Sequence, residues 1–198
     1  MNFNYNLIFK YILQNNKQIF LTNKELNRKN ILILLDSNKL YSTVLHLKLS
    51  SFFSSTQLIE LFSYESVLTK NNEFLKEKNL KKNNEPIVVY NFNILKNGIK
   101  VYLFILNQNK INILKNNKKK NYLNSITELF LNANWLERET GELSGVFFYG
   151  KKDVRNLMLQ YGDTSAPFKK SYPSVGLREI FYDSVSDLLI QNQTSIQF

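Results

Sequence analysis

Glu137, Glu139 and Glu142 place three carboxylates within two helical turns, a spacing on which acid–base chemistry could be built. A carboxylate pair does such work only when burial or a like charge drives the two pKa values apart. Arg138 stands among them, so an ion-paired structural cluster is the better reading. Asp153 and Arg155 add charges of opposite sign, with Arg155 free to pair with a carboxylate. The single histidine, His46, lies beside an apolar helical stripe with no second ligand nearby, and is read as solvated or satisfied. The absence of cysteine excludes disulfides, thiolate-held iron–sulfur clusters and thiol catalysis within this chain. No nucleophile or base accompanies the three glutamates, so the sequence points away from catalysis.

The 198 residues suffice for one domain with an extension, and 43% hydrophobic with 14% aromatic content is that of a folded chain. A net charge of +10 suggests nucleic acid, an anionic membrane surface or an acidic protein. The polar residues are overwhelmingly Asn and Lys, however, the pair that an A+T-rich genome writes at solvated positions. The run from Lys70 to Glu85 and the run Lys115–Lys120 read as solvated loops, since no aromatic is interleaved with the lysines as a base-stacking platform requires. No stretch approaches the roughly 20 apolar residues that cross a bilayer. The longest apolar run, Val101–Leu106, is strand-sized, which predicts a soluble product with at most peripheral membrane association. Met1–Tyr5 lacks the arginines of a transit peptide and the cleavage site of a secretory one.

The elements that must hold these residues follow from periodicity. Phe3–Phe20 carries Leu7, Ile8, Tyr11 and Ile12 at helical spacing, as a face that docks on the core. Ile31–Leu35 reads as a buried strand ending in the turn and cap cluster Asp36-Ser37-Asn38, and Leu40, Val44 and Leu47 predict a helix to about Leu49. Thr56–Tyr64 suits strand or helix. Pro86–Leu95 and Ile99–Leu106, separated by Lys96-Asn97-Gly98, predict an antiparallel hairpin. Ser125-Ile126-Thr127-Glu128 has the form of a capping box, and Asn134–Leu143 of a helix ended by Gly145. In that helix Trp135 has Arg138 and Glu139 as neighbours. Asp153 is expected to cap a helix over Val154–Gln160, with Val154, Leu157, Met158 and Tyr161 as its stripe and Gly162 as its stop.

After Gly162 the pattern changes. Asp163–Tyr182 has no helical period and holds Pro167, Pro173 and Gly176, Lys169-Lys170, and the aromatics Phe168, Tyr172, Phe181 and Tyr182. Such a segment cannot satisfy its own backbone and is expected to lie extended against another surface. The expected fold is α+β: residues 1–162 form a mostly antiparallel or mixed sheet with helices packed on it, and residues 163–198 an extended C-terminal tail docking on a neighbour.

The order Asn134-Trp135-Leu136-Glu137-Arg138-Glu139, Gly145, Asp153-Val154-Arg155, Tyr161-Gly162, Pro167, Lys170, Tyr172-Pro173, Gly176, Glu179 and Tyr182-Asp183 closely resembles a known signature. It is that of the 30 kDa subunit family of respiratory complex I, which includes mitochondrial subunit 9 and the bacterial C subunit. Upstream of Asn134 the resemblance is one of element order. It implies a non-catalytic structural or assembly subunit in the peripheral arm of proton-pumping NADH:ubiquinone oxidoreductase, supporting the quinone-reducing module. It also implies that the signature residues are interface residues and that the tail lies along the large subunit of that module. FMN and the iron–sulfur clusters would then sit in other subunits, with no cofactor, nucleic acid or small-molecule ligand on this chain. The location implied is the matrix side of the mitochondrial inner membrane, with organelle encoding.

There are departures from the family pattern. Glu142-Leu143-Ser144-Gly145 stands for Asp-Met-Phe-Gly, and Lys151-Lys152 for the His-Pro after Gly150. Ser165-Ala166-Pro167-Phe168-Lys169-Lys170-Ser171 replaces Gly-His-Pro-Leu-Arg-Lys-Asp, so the family's two histidines and an aspartate are missing here. The rival reading is a basic organellar RNA-binding or ribosomal protein, which rests on charge and the lysine runs alone.

Overall fold

Ile31–Leu35 is an unbroken apolar run, the pattern of a strand covered on both faces. In a computed structural model, which describes residues 20–21, 30–51, 55–65, 86–96, 98–106, 110–112 and 119–195, this run lies inside β2 (Asn30–Asp36). β2 pairs with the short β1 (Phe20–Leu21) and, in parallel, with β5 (Ile99–Leu106). β4 (Pro86–Ile94) follows β5 antiparallel, and β3 (Thr56–Glu65) closes the far edge, giving the order β1-β2-β5-β4-β3. The sheet is mixed and the class is α+β, as expected. Gly98, at φ +62, supplies the left-handed residue of the predicted hairpin turn. The ambiguous Thr56–Tyr64 segment is strand, with a register shift between Leu58 and Glu60.

Two helices cover one face. A 3-10 turn at Ser37–Lys39 leads into α1 (Leu40–Leu49), whose Leu40, Val44 and Leu47 are buried as the spacing predicts, with His46 exposed. Asp36 makes no side-chain cap bond there. α2 (Ala133–Ser144) lies along β3, donating from Asn132 Nδ2 to Leu58 O (2.7 Å) and from Thr140 Oγ1 to Leu61 O (3.3 Å). Side chains thereby take up carbonyls of the edge strand. Beneath the helices Tyr90, Phe92, Leu103 and Ile105 are almost fully buried. Opposite, Leu34, Ile87 and Val89 form a second cluster with Tyr102 and Phe104.

A small sheet of β6 (Lys110–Asn112), β7 (Lys119–Asn124) and β8 (Phe147–Tyr149) stands beside α2, and β9 (Arg178–Asp183) pairs with β10 (Leu188–Gln193) as a hairpin.

Three expectations are corrected. Ser125–Glu128 starts no helix: it forms a turn, and the Ser125 hydroxyl bonds to Glu137 instead of to a helix N-terminus. No helix covers Val154–Gln160, which is irregular. Lys119 and Lys120 open β7 instead of ending a loop. The expected helix at Phe3–Phe20, but for Phe20, and the Lys70–Glu85 run lie outside the described residues, as do Lys115–Lys118. Among the described residues no helix is long and apolar enough to cross a membrane, and no group of three or more His, Asp or Glu could hold a metal ion.

Candidate functional site

Positions 133, 137, 140 and 144 recur at helical spacing, and Ala133, Glu137, Thr140 and Ser144 are the buried residues of α2. One of the three glutamates is therefore turned into the protein. Its Oε1 accepts the Ile126 N–H at 2.9 Å and its Oε2 accepts Ser125 Oγ at 2.7 Å. The Lys151 ammonium lies 3.5 Å from the same Oε2 and donates to Asn134 O at 2.6 Å. Both side chains are essentially sealed from water, at 0% exposure for Glu137 and 2% for Lys151. Burial raises the Glu137 carboxyl above its ordinary value, opposed by the Ile126, Ser125 and Lys151 contacts. Burial likewise lowers the Lys151 ammonium, opposed chiefly by Glu137. The nearby Tyr90 phenol is pushed well above its usual range, first by burial and then by the Glu137 charge.

Arg138 turns the other way. Its Nε donates to Arg155 O at 2.8 Å and its Nη2 to Asn156 O at 3.0 Å, while Nη1 lies 3.5 Å from Asp153 Oδ2. The guanidinium also lies 6.0 Å from the Trp135 ring, the i+3 contact that helical spacing predicts. Asp153 is gripped by Arg155, through Nε at 3.0 Å, Nη2 at 2.9 Å and the backbone N–H at 3.2 Å. The Arg155 side chain, then its backbone N–H, hold the Asp153 carboxyl far below the usual carboxylate range. Glu142 accepts the Leu157 N–H at 2.7 Å and that of Met158.

The three glutamates do not form one cluster around Arg138. Glu137 meets Lys151, Glu142 meets backbone N–H groups, and Glu139 is half-buried. Arg138 pairs with Asp153 instead. A cleft of about 170 Å³ runs between them, lined by Glu137, Arg138, Glu142, Lys151 and Arg155 over an apolar floor at Phe148. Every one of these five polar side chains has a protein partner. The arrangement is a polar seam, which locks the 150–158 loop to α2.

The same contacts account for the missing helix. Leu157 and Met158 give their N–H groups to Glu142, and the carbonyls of Arg155 and Asn156 go to Arg138. With its backbone satisfied from outside, the segment has no need of an internal ladder. Three of the apolar residues then face water, Val154 at 63%, Met158 at 66% and Tyr161 at 76% exposed, while Leu157 and Leu159 are half-buried.

The other signature residues divide between these two settings. Gly145 takes φ +70 at the end of α2, packed against Lys169 and Ala166. Gly162 and Gly176 both sit at φ +85, and Pro167 is half-buried beside the buried Ala166. The Lys170 N–H donates to Glu65 at 3.0 Å, and Phe168 N–H to Leu143 O at 2.8 Å. Tyr172 is half-buried, and Pro173, Glu179 and Tyr182 beyond it are exposed. In the sequence Lys151 stands out only as a departure from the family's histidine. The signal that could have found it is Glu137 itself, a carboxylate on the buried face of a helix, which requires a cation.

The family described as respiratory-chain NADH dehydrogenase, 30 Kd subunit, matches residues 33–177, from within β2 through β3, β4 and β5, both helices and the whole seam. The chain belongs to this family. Among curated relatives of the 30 Kd subunit kind, subunit 9 of NADH-ubiquinone oxidoreductase from Paramecium primaurelia is 48% identical over 60 residues. That match covers 30% of this chain and 29% of the relative. The probable 30.4 kDa mitochondrial subunit of NADH-ubiquinone oxidoreductase from Candida maltosa is 49% identical over 59 residues, 30% of this chain and 21% of that one. Subunit 9 of NADH-ubiquinone oxidoreductase from Acanthamoeba castellanii is 44% identical over 62 residues, 31% and 32% respectively. The matched stretch is thus a fifth to a third of each relative's length. In fold, the chain is similar to one in the membrane-bound sulfane sulfur reductase, an archaeal respiratory membrane complex, at TM-score 0.53 and 13% identity. That likeness covers 82% of this chain and 79% of the other.

Proposed function

We propose that the chain is a structural and assembly subunit of NADH:ubiquinone oxidoreductase, in the peripheral, matrix-side arm, docked against the quinone-reducing module and chiefly its large subunit. It binds no cofactor of its own, FMN and the iron–sulfur clusters lying in other subunits. Its setting is the mitochondrial inner membrane. Family membership supports the complex, and relatives with mitochondrial names support the compartment.

The observation that carries the docking role is an inversion of polarity after α2. The 151–170 stretch is tied to the core through its backbone, while Val154, Met158, Tyr161 and Phe168 point outward. A loop in water presents polar side chains; one that presents apolar side chains from a fixed backbone is shaped to be covered. The signature residues Trp135, Tyr161 and Tyr182 are likewise exposed, and the division into a core of residues 1–162 and a docking tail of residues 163–198 belongs to the same proposal.

The test is native electrophoresis of detergent-solubilised mitochondrial membranes, with mass spectrometry locating the chain. Migration with an NADH-oxidising band of very high mass is expected. Migration with ribosomes, lost at high salt, would overturn the proposal in favour of the RNA-binding reading.

A further inference from the structure

The β9–β10 hairpin pairs from Arg178↔Gln193 to Leu188↔Asp183, so its two faces can be read from register. Side chains alternate, which puts Ile180, Tyr182 and Leu189 on one face and Phe181, Leu188 and Ile190 on the other. On the first face exposure is 67%, 59% and 75%. On the second, Phe181 is 45% and Leu188 61% exposed, with Ile190 half-buried. A hairpin that lies on a single surface is apolar on one side and polar on the other. This one carries an apolar triad on each side, among Arg178, Gln191 and Gln193 on the first and Glu179, Asp183 and Asn192 on the second, and a lone two-stranded hairpin is marginal in water.

Its tip is built and acidic. Asp183 accepts the Val185 N–H at 3.0 Å and the Ser186 hydroxyl at 2.5 Å, and Asp187, at φ +51, accepts the Tyr182 hydroxyl. Val185, at the turn, is 94% exposed. The hairpin carries Arg178 against Glu179, Asp183 and Asp187, in a chain whose net charge is +10. The sign of the charge reverses on this apolar hairpin.

We infer that the hairpin is a two-sided insert, seated in an apolar cleft of a partner protein whose walls cover both faces and whose rim is basic where Asp183 and Asp187 meet it. This rests on the docking reading and adds the shape and charge of the partner's site. A flat partner would leave one apolar triad in water, whereas a cleft covers both. Opposite charge at the rim fixes the register of insertion and suppresses wrong partners.

The test uses the full chain assembled in mitochondrial membranes, with a benzophenone side chain replacing Tyr182 in one variant and Phe181 in another. After illumination the high-mass band is isolated. Adducts from both positions to a neighbouring subunit, at separate sites in its sequence, are expected. Adducts from one position only, or to this chain's own core or a second copy of it, would overturn the inference while leaving the docking proposal standing. Absence of the chain from the high-mass band would instead defeat the docking proposal. As a second readout, the pairs Ile180→Ser with Leu189→Ser, and Phe181→Ser with Leu188→Ser, should each lower retention in the complex at least tenfold. Full retention with either pair substituted would mean that its face is not covered.

Discussion

The seam around α2 and the segment that follows it solve opposite problems with the same residue types. At the seam each charged side chain meets a partner: Glu137 meets Lys151, both sealed from water, and Arg138 meets the partly exposed Asp153 and two carbonyls. Beyond it, aromatic and aliphatic side chains stand in water while the backbone is held to the core. The contrast shows why the polar residues are where they are. They hold the backbone of the segment while its apolar side chains stay exposed.

The largest effect that could break this comparison is at Lys151. Removing one member of a buried pair leaves the other charge uncompensated, at a cost of about 3–5 kcal/mol. Lys151→Met should therefore destabilise the full chain by that much in urea unfolding. Adding Glu137→Gln, which keeps an acceptor for the Ile126 N–H, should recover part of the loss. A Lys151→Met cost within about 0.5 kcal/mol, the usual range for surface substitutions, would contradict the buried pair.

A smaller effect is expected at Arg138. Hydrogen bonds made by a charged group contribute about 1.5–3 kcal/mol, so Arg138→Ala should lose roughly that much and loosen the 150–158 loop in hydrogen exchange. Arg138→Lys should rescue little, because an ammonium cannot reproduce the fork that reaches both carbonyls. Full rescue by lysine would show that charge alone matters here.

The smallest is a pH slope. Glu137 is held above its ordinary value in the fold, so between the two values the folded state binds more protons than the unfolded one. That contribution to stability is present below the unfolded pKa and is lost as pH rises through the folded one. Glu137→Gln should flatten the urea midpoint across the acid range, and an unchanged profile would sharpen the account by assigning the slope to other groups.

Much of the core was legible in the sequence because its signals are local. The turn at Gly98, the apolar run of β2, the 3.6-residue spacing of α1 and the glycine stop of α2 each rest on neighbours in the chain. The helix expected at Val154–Gln160 failed for the opposite reason. Its apolar spacing was helical, but Glu142 and Arg138, from another element, took the backbone groups that a helix would have paired. Ser125 likewise had the form of a cap and bonded instead to a carboxylate twelve residues on. At the site, periodicity showed the helix that carries Glu137 and Arg138. Their partners Lys151 and Asp153 come from a loop, and no spacing rule connects them.

The central claim, that the seam serves the core and the segment beyond it serves a partner, is tested most directly by cutting the chain after Tyr172. That point preserves the buried Ala166 and the Lys170 bond to Glu65 while removing the hairpin. The truncated chain should unfold in urea within about 0.5 kcal/mol of the full one, as expected where no buried contact is lost, and should be missing from the high-mass respiratory band. A truncated chain that remains in that band at full occupancy would contradict the account.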